Sequence, residues 1–113
     1  MAGLEIQIEE QGEFHIARLV GEASLATNDA MERGLMGLHA RQPKYVVLDL
    51  SGLTFIASLA MGNLVSLQQR VVGRNDGWVK ASGLNAEVRR AFEHARLDQL
   101  FEITETVDEA MRI

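Results

Sequence analysis

A mixed β-sheet of the α/β class, antiparallel where it opens and largely parallel beyond, with helices mainly on one face, is predicted by three features of the chain. Leu4, Ile6 and Ile8 alternate with Glu5, Gln7 and Glu9, and after Gln11-Gly12 the alternation resumes at Phe14 and Ile16, with Leu19 apolar beyond them. Residues 4–20 therefore read as a β-hairpin with one wet face. Tyr45-Val-Val-Leu-Asp-Leu50 is an apolar run of strand length, the pattern of a strand covered on both sides. Each later strand follows a stretch of helical periodicity, and parallel neighbours need a crossover of that length.

Between the hairpin and the apolar run, Leu25, Met31, Leu35 and Leu38 recur at helical spacing, with Ser24 or Thr27 as the N-cap. Gly34 and Gly37 each weaken such a helix by about 1 kcal/mol relative to alanine, and close approach to a sheet is the expected reason. Pro43 breaks the chain after it. Ser51-Gly52 reads as a turn, with Thr54, Phe55 and Ile56 beyond it. From Ser58 onward Met61, Leu64, Val65, Leu67, Val71 and Val72 keep a helical period. The turn cluster Gly73–Gly77 ends that helix. Trp78–Ala81 is a short strand, Asn85 caps a helix through Val88, Ala91, Phe92 and Ala95, Leu100–Ile103 forms a further strand, and a last helix covers residues 106–111. No repeat or linker divides the 113 residues, so a single domain over 1–113 is expected.

Composition removes several kinds of chemistry. The chain is 47% hydrophobic and 24% charged, ordinary for a folded protein. It has no cysteine, which excludes disulfides, thiolate catalysis and cysteine zinc sites. His15, His39 and His94 are isolated from one another, so no metal site is expected. The formal net charge is −5, and Arg89, Arg90 and Arg96 are interleaved with Glu87, Glu93 and Asp98. That is a solvated helix face rather than a nucleic-acid surface. Nothing approaches the roughly 18 apolar residues of a membrane span, and Met1–Glu10 lacks the basic-then-apolar pattern of a secretory signal. A cytoplasmic location without membrane insertion is expected. No glycine-rich phosphate cradle is present and Ser58 is flanked by Ile56 and Ala60 rather than the glycines of a nucleophile elbow. No cofactor and no catalytic residue are expected.

Ser58 lies where the central strand becomes a helix. Read plainly, it is an N-cap, worth about 1 kcal/mol through the hydrogen bond it accepts from the first turn. It also sits at the C-terminal edge of a sheet, where binding sites of open α/β folds collect, and Leu59 beside it suits a docking patch. Asp49 is expected to hydrogen-bond nearby backbone, and Trp78 to cover a sheet edge.

The stretch "VVLDLSGLTFIASLAMGNLVSL", residues 46–67, resembles the signature of STAS domains, the anti-sigma factor antagonists. "ASGLNAEVRRAFEHARLDQLFEI", residues 81–103, is similar to the second hallmark of that family, and "TVDEAM" to its closing helix. The resemblance implies a STAS-like sheet and a partner-switching role. In that role an unphosphorylated antagonist binds an anti-sigma factor serine kinase and releases the sigma factor; the kinase then phosphorylates the antagonist and a phosphatase restores it. Aligned through Phe55-Ile56 and Gly62, Ser58 takes the place of the phosphorylated serine. Ala57, Ser58, Leu59, Ala60, Met61 and Asn63 would meet the partner. Ala57 stands where the family carries an acidic residue, Leu59 replaces a second hydroxyl, and Ala60 replaces a glycine.

Two functions from the binding class remain open. One is an antagonist switched by phosphorylation at Ser58. The other is a scaffold or accessory subunit that is not phosphorylated, in a stressosome-like assembly or a transporter complex, a reading that Ala57 and Leu59 favour. A homodimer is compatible with either. An enzyme or small-ligand binder at the sheet edge is a third reading, which a large polar pocket containing a histidine close to Ser58 would favour.

Overall fold

The N-terminal alternation resolves into two antiparallel strands, β1 (Leu4–Gln11) and β2 (Phe14–Ala23), turned at Gly12 with φ +60°. The computed structural model describes residues 3–112. β2 continues in parallel beside β3 (Tyr45–Ile56), then come β4 (Trp78–Ser82) and β5 (Glu102–Thr104), so spatial order follows chain order. Helices α1 (Asn28–His39), α2 (Ser58–Asn75) and α3 (Ala86–His94) make the crossovers, and a 3₁₀ turn at Leu97–Gln99 precedes β5. A short α4 (Val107–Ala110) closes the described chain.

The three longer helices share one face. Leu35, Leu64, Leu67, Val71, Val88 and Phe92 pack there on Val46, Leu48 and Leu50 of the central strand. The opposite face is covered more thinly: Ala110 of α4, with Val107 and Met111, packs on Ile16 and Val47. This gives the mixed sheet with helices mainly on one side, and Val47, pointing away from its neighbours Val46 and Leu48, shows why the run reads as apolar throughout.

Several boundaries differ from the sequence expectation, each for a local reason. Helix α1 begins at Asn28, not Leu25, with Thr27, one of the two expected positions, as its N-cap, because the Thr27 hydroxyl donates to the Glu22 carbonyl at 2.8 Å and accepts from the Ser24 N–H at 2.9 Å. Those bonds hold residues 24–27 in a turn and leave Leu25 75% exposed. Ser51-Gly52 is not a turn. β3 runs through it with two extra residues relative to β2, one between Asp49 and Gly52 and one between Leu53 and Phe55, and each such bulge shifts the phase of the alternation. Leu50, Leu53 and Ile56 are therefore all buried although three residues apart. Asp49 supports the first bulge, accepting from the Ser51 N–H at 3.1 Å and hydroxyl at 2.7 Å, as an Asx side chain does at i+2. Its other oxygen lies 3.3 Å from Arg18 Nε. Leu100 and Phe101 fall before β5, with Phe101 buried against Phe92 at a ring separation of 6.0 Å.

A Cβ added at Gly34 would come within 2.6 Å of Ile6 Cδ1 and 3.0 Å of its Cβ, so α1 does approach β1 there; at Gly37 it would meet nothing within 4 Å. A Cβ at Gly77 would overlap the Lys44 carbonyl, which accepts from the Trp78 N–H at 2.9 Å and so starts β4 beside β3.

Candidate functional site at the start of helix α2

β2 and β3 end together: the Ala57 N–H donates to the Ala23 carbonyl at 2.8 Å, and the chain turns from there into α2. Ala57, extended at φ −88° and ψ 162°, is the N-cap, and Ser58 is the first helical residue. The expectation of Ser58 as N-cap is thus corrected by one position. Alanine offers no side-chain oxygen to the first-turn N–H groups, and no acidic residue lies in that turn. The helix start keeps both its unpaired donors and its partial positive charge.

Ser58 is exposed, and Leu59 beside it is 49% exposed. Gly62, one turn on, is exposed and has open space where a Cβ would be, so no side chain overhangs Ser58 from the position four residues later. Ala57, Met61 and Asn63 are half-buried. Met61 packs on the core, and Asn63 Nδ2 donates to Asn28 Oδ1 at 2.8 Å, tying α2 to the start of α1. Ala60 differs from the rest: it is 1% exposed and belongs to the core. Its side chain supports the site from beneath rather than facing a partner.

Two residues outside the expected set extend this surface. Phe55 is 41% exposed near the end of β3, which leads into Ser58, and Leu25 is 75% exposed in the turn just after Ala23, the residue bonded to Ala57. Their exposure follows from the second bulge and from the Thr27 turn. The only trace of it in sequence is that Phe55 is apolar next to the buried Ile56.

None of the histidines reaches Ser58. His15 pairs with Glu10 at 3.3 Å near the opposite end of β2, His39 closes α1 and His94 closes α3. Burial, then the charges of Arg70 and Arg74, push the His39 imidazole below its ordinary 6.5. Among the described residues no group of three His, Asp or Glu side chains could hold a metal ion, and no helix is long and apolar enough to cross a membrane.

The STAS domain family model matches residues 5–110. Among solved structures, the chain is similar to an anti-sigma factor antagonist from Mycobacterium paratuberculosis, with 23% identity and a TM-score of 0.86 over 96% of this chain and 91% of that one. It is similar to the phosphorylated form of the Bacillus cell fate determinant SpoIIAA, with 18% identity and a TM-score of 0.74 over 95% of this chain and 96% of that one. It also resembles part of murine Slc26a9, an anion transporter, with 14% identity and a TM-score of 0.75 over 90% of this chain and 18% of that one. These identities speak for the fold. The family match runs from β1 to the end of α4 and takes in the whole junction around Ser58, and the chain belongs to the STAS domain family.

Proposed function

We propose that this protein is an anti-sigma factor antagonist that docks on an anti-sigma factor serine kinase through the surface around Ser58, and that phosphorylation of Ser58 releases it. The observation that carries this reading is an exposed hydroxyl at the first position of α2 on the same rim as three exposed apolar side chains, Leu25, Phe55 and Leu59. Similarity to an anti-sigma factor antagonist and to SpoIIAA, itself an anti-sigma factor antagonist known in a phosphorylated form, supports it. The protein would act in the cytoplasm, a phosphatase would reverse the modification, and no chemistry of its own is required.

The physics of the junction favours a switch that leaves the fold intact. A phosphate adds about −1.5 to −2 charges at pH 7. At an uncapped helix start without acidic residues it is tolerated, or favoured by about 0.3–1 kcal/mol. Burying the same charge unpaired in an apolar interface costs about 2–5 kcal/mol.

The test is the affinity of wild type, Ser58→Ala and Ser58→Asp for the kinase that co-purifies from the native cell. Ser58→Ala should bind like wild type, and Ser58→Asp about thirty-fold to a few thousand-fold more weakly. Equal affinities for all three discard the switch.

A second reading keeps the docking surface and drops the phosphate: a scaffold or transporter accessory subunit. The replacement of an acidic residue by Ala57 favours it, and so does the similarity to a domain within Slc26a9. Mass spectrometry of the native protein separates the two, since phosphate on Ser58 counts against the scaffold.

A further inference from the structure

The seam between α1 and α2 begins at the Asn28–Asn63 hydrogen bond and ends, at the other extremity of both helices, in a cluster of basic and amide side chains. His39 closes α1, Arg70 and Arg74 lie in the last turns of α2, and Gln42 and Asn75 complete the rim of a cavity of about 130 Å³. A neighbouring cavity of about 350 Å³ shares His39 and Arg70 and adds Leu35 and Met36, the latter 66% exposed.

We propose that His39, Arg70 and Arg74, with Gln42 and Asn75, form a binding site for the phosphate group of a small anionic molecule. The groups on the rim are the reason. Two guanidinium forks, each able to give parallel N–H bonds to an oxyanion, converge on one cavity. Neither arginine has an ion-pair partner among the described residues, as is true of every arginine there but Arg18 and Arg41, so both forks are free to bind an anion. Among the described residues lining these two cavities the carboxylate is Glu32, which belongs to the larger one and accepts from Asn28 Nδ2 at 2.7 Å. Asn75 donates its amide to the Pro43 carbonyl at 2.7 Å, which fixes the rim on that side.

Helix C-termini attract cations without any ligand, and that alone would account for Arg74 and His39 lying where they do. Because the two helices pack side by side and end together, it also brings them close, but it gives neither Arg70 nor Arg74 a carboxylate partner among the described residues. Burial first, and then the charges of both arginines, lower the basicity of His39, so the imidazole lies within the field of the two guanidinium groups. A bound dianion compensates their charge and gains a third donor if the imidazole takes up a proton. The Leu35 and Met36 walls of the adjoining cavity fit the organic part of a phosphate ester.

The experiment is an amide NMR titration with inorganic phosphate and with glycerol 3-phosphate, referenced to sodium chloride at matched ionic strength because long-range attraction is screened by any salt. Both probes should give saturable shifts centred on His39, Gln42 and Arg74. Arg70→Gln and Arg74→Gln should each weaken binding about tenfold, the loss expected for one charge-assisted contact. Arg90→Gln, on the exposed face of α3, should change nothing. Tighter binding of the ester assigns the larger cavity to its organic part, and equal binding assigns the site to phosphate itself; both support the site. Shifts that chloride reproduces, or that survive the two arginine substitutions together, overturn it. All three arginines are exposed or line open cavities, and an unchanged spectrum away from the seam reports that each variant is folded. Repeating the titration on Ser58→Ala keeps the result separate from the docking role of Ser58.

Discussion

Leu59 and Ala60 are adjacent in sequence and opposite in surroundings, because each helical residue turns the side chain by about 100°. Leu59 projects from the rim at 49% exposure while Ala60 at 1% packs under it. The two positions separate binding from stability. Leu25→Ala removes little buried area and should change unfolding free energy by no more than about 0.5 kcal/mol, while Leu59→Ala and Phe55→Ala, at 49% and 41% exposure, give up about half of a side chain's burial and should cost about 1 kcal/mol each. If the rim is the docking surface, at least one of the three should weaken partner binding by more than about 1 kcal/mol, since a minority of interface residues carries most of the energy. Ala60→Leu should do the reverse, overpacking the core at a cost of about 1–3 kcal/mol. Thermal unfolding and affinity, measured on the same four variants, check both halves. A rim triple variant that binds like wild type would place the docking surface elsewhere.

Helix α1 and strand β3 show how one element can be visible in sequence while its aim is not. Gly34 and Gly37 look alike as helix-weakening residues, but only Gly34 faces Ile6 of β1. Gly34→Ala must displace the Ile6 Cβ at 3.0 Å, and overpacking of about 1–3 kcal/mol should meet or exceed the gain in helix propensity. Gly37→Ala meets nothing and should stabilise by up to about 1 kcal/mol. Opposite shifts in melting temperature are expected, and a stabilising Gly34→Ala would mean that α1 can lift from the sheet. The element order, the helix faces and the strand-to-helix junction at Ser58 were legible, the last to within one residue, because alternation and helical period report which side of an element is apolar. The path of β3 past Leu50 was not. Bulges depend on how β2 is registered beside it, and a single strand's sequence does not contain its partner's spacing. The same limit hid Phe55 from the candidate site, and the Thr27 hydrogen bonds to Glu22 and Ser24 hid Leu25.

Across the whole molecule, two titrating groups placed far apart act in the same direction as pH falls. Glu9 on β1 is held below its ordinary 4.5, first by its hydrogen bond to Arg18 and then by Gln11. In the folded state it stays ionised where the unfolded chain would take a proton. Its contribution is present above about pH 4.5 and is lost as pH falls through the folded value. His39, in the seam of α1 and α2, is held below 6.5 by burial and by Arg70 and Arg74. The unfolded chain binds that proton first, so unfolding takes up a proton in the interval between the two values. Stability from His39 is therefore full above pH 6.5, declines as pH falls toward the folded value, and declines no further once both states are protonated. Melting temperature should hold a plateau near neutrality, with one decline beginning just below pH 6.5 and another below pH 4.5. His39→Gln should flatten the first and leave the second, and Glu9→Gln should do the opposite. Because burial is the larger cause at His39, Arg70→Gln or Arg74→Gln should narrow the first decline without abolishing it. Calorimetric melting temperatures of these variants across that range decide the matter. A His39→Gln profile superimposable on wild type would show that the imidazole is as free to protonate in the folded seam as in the open chain.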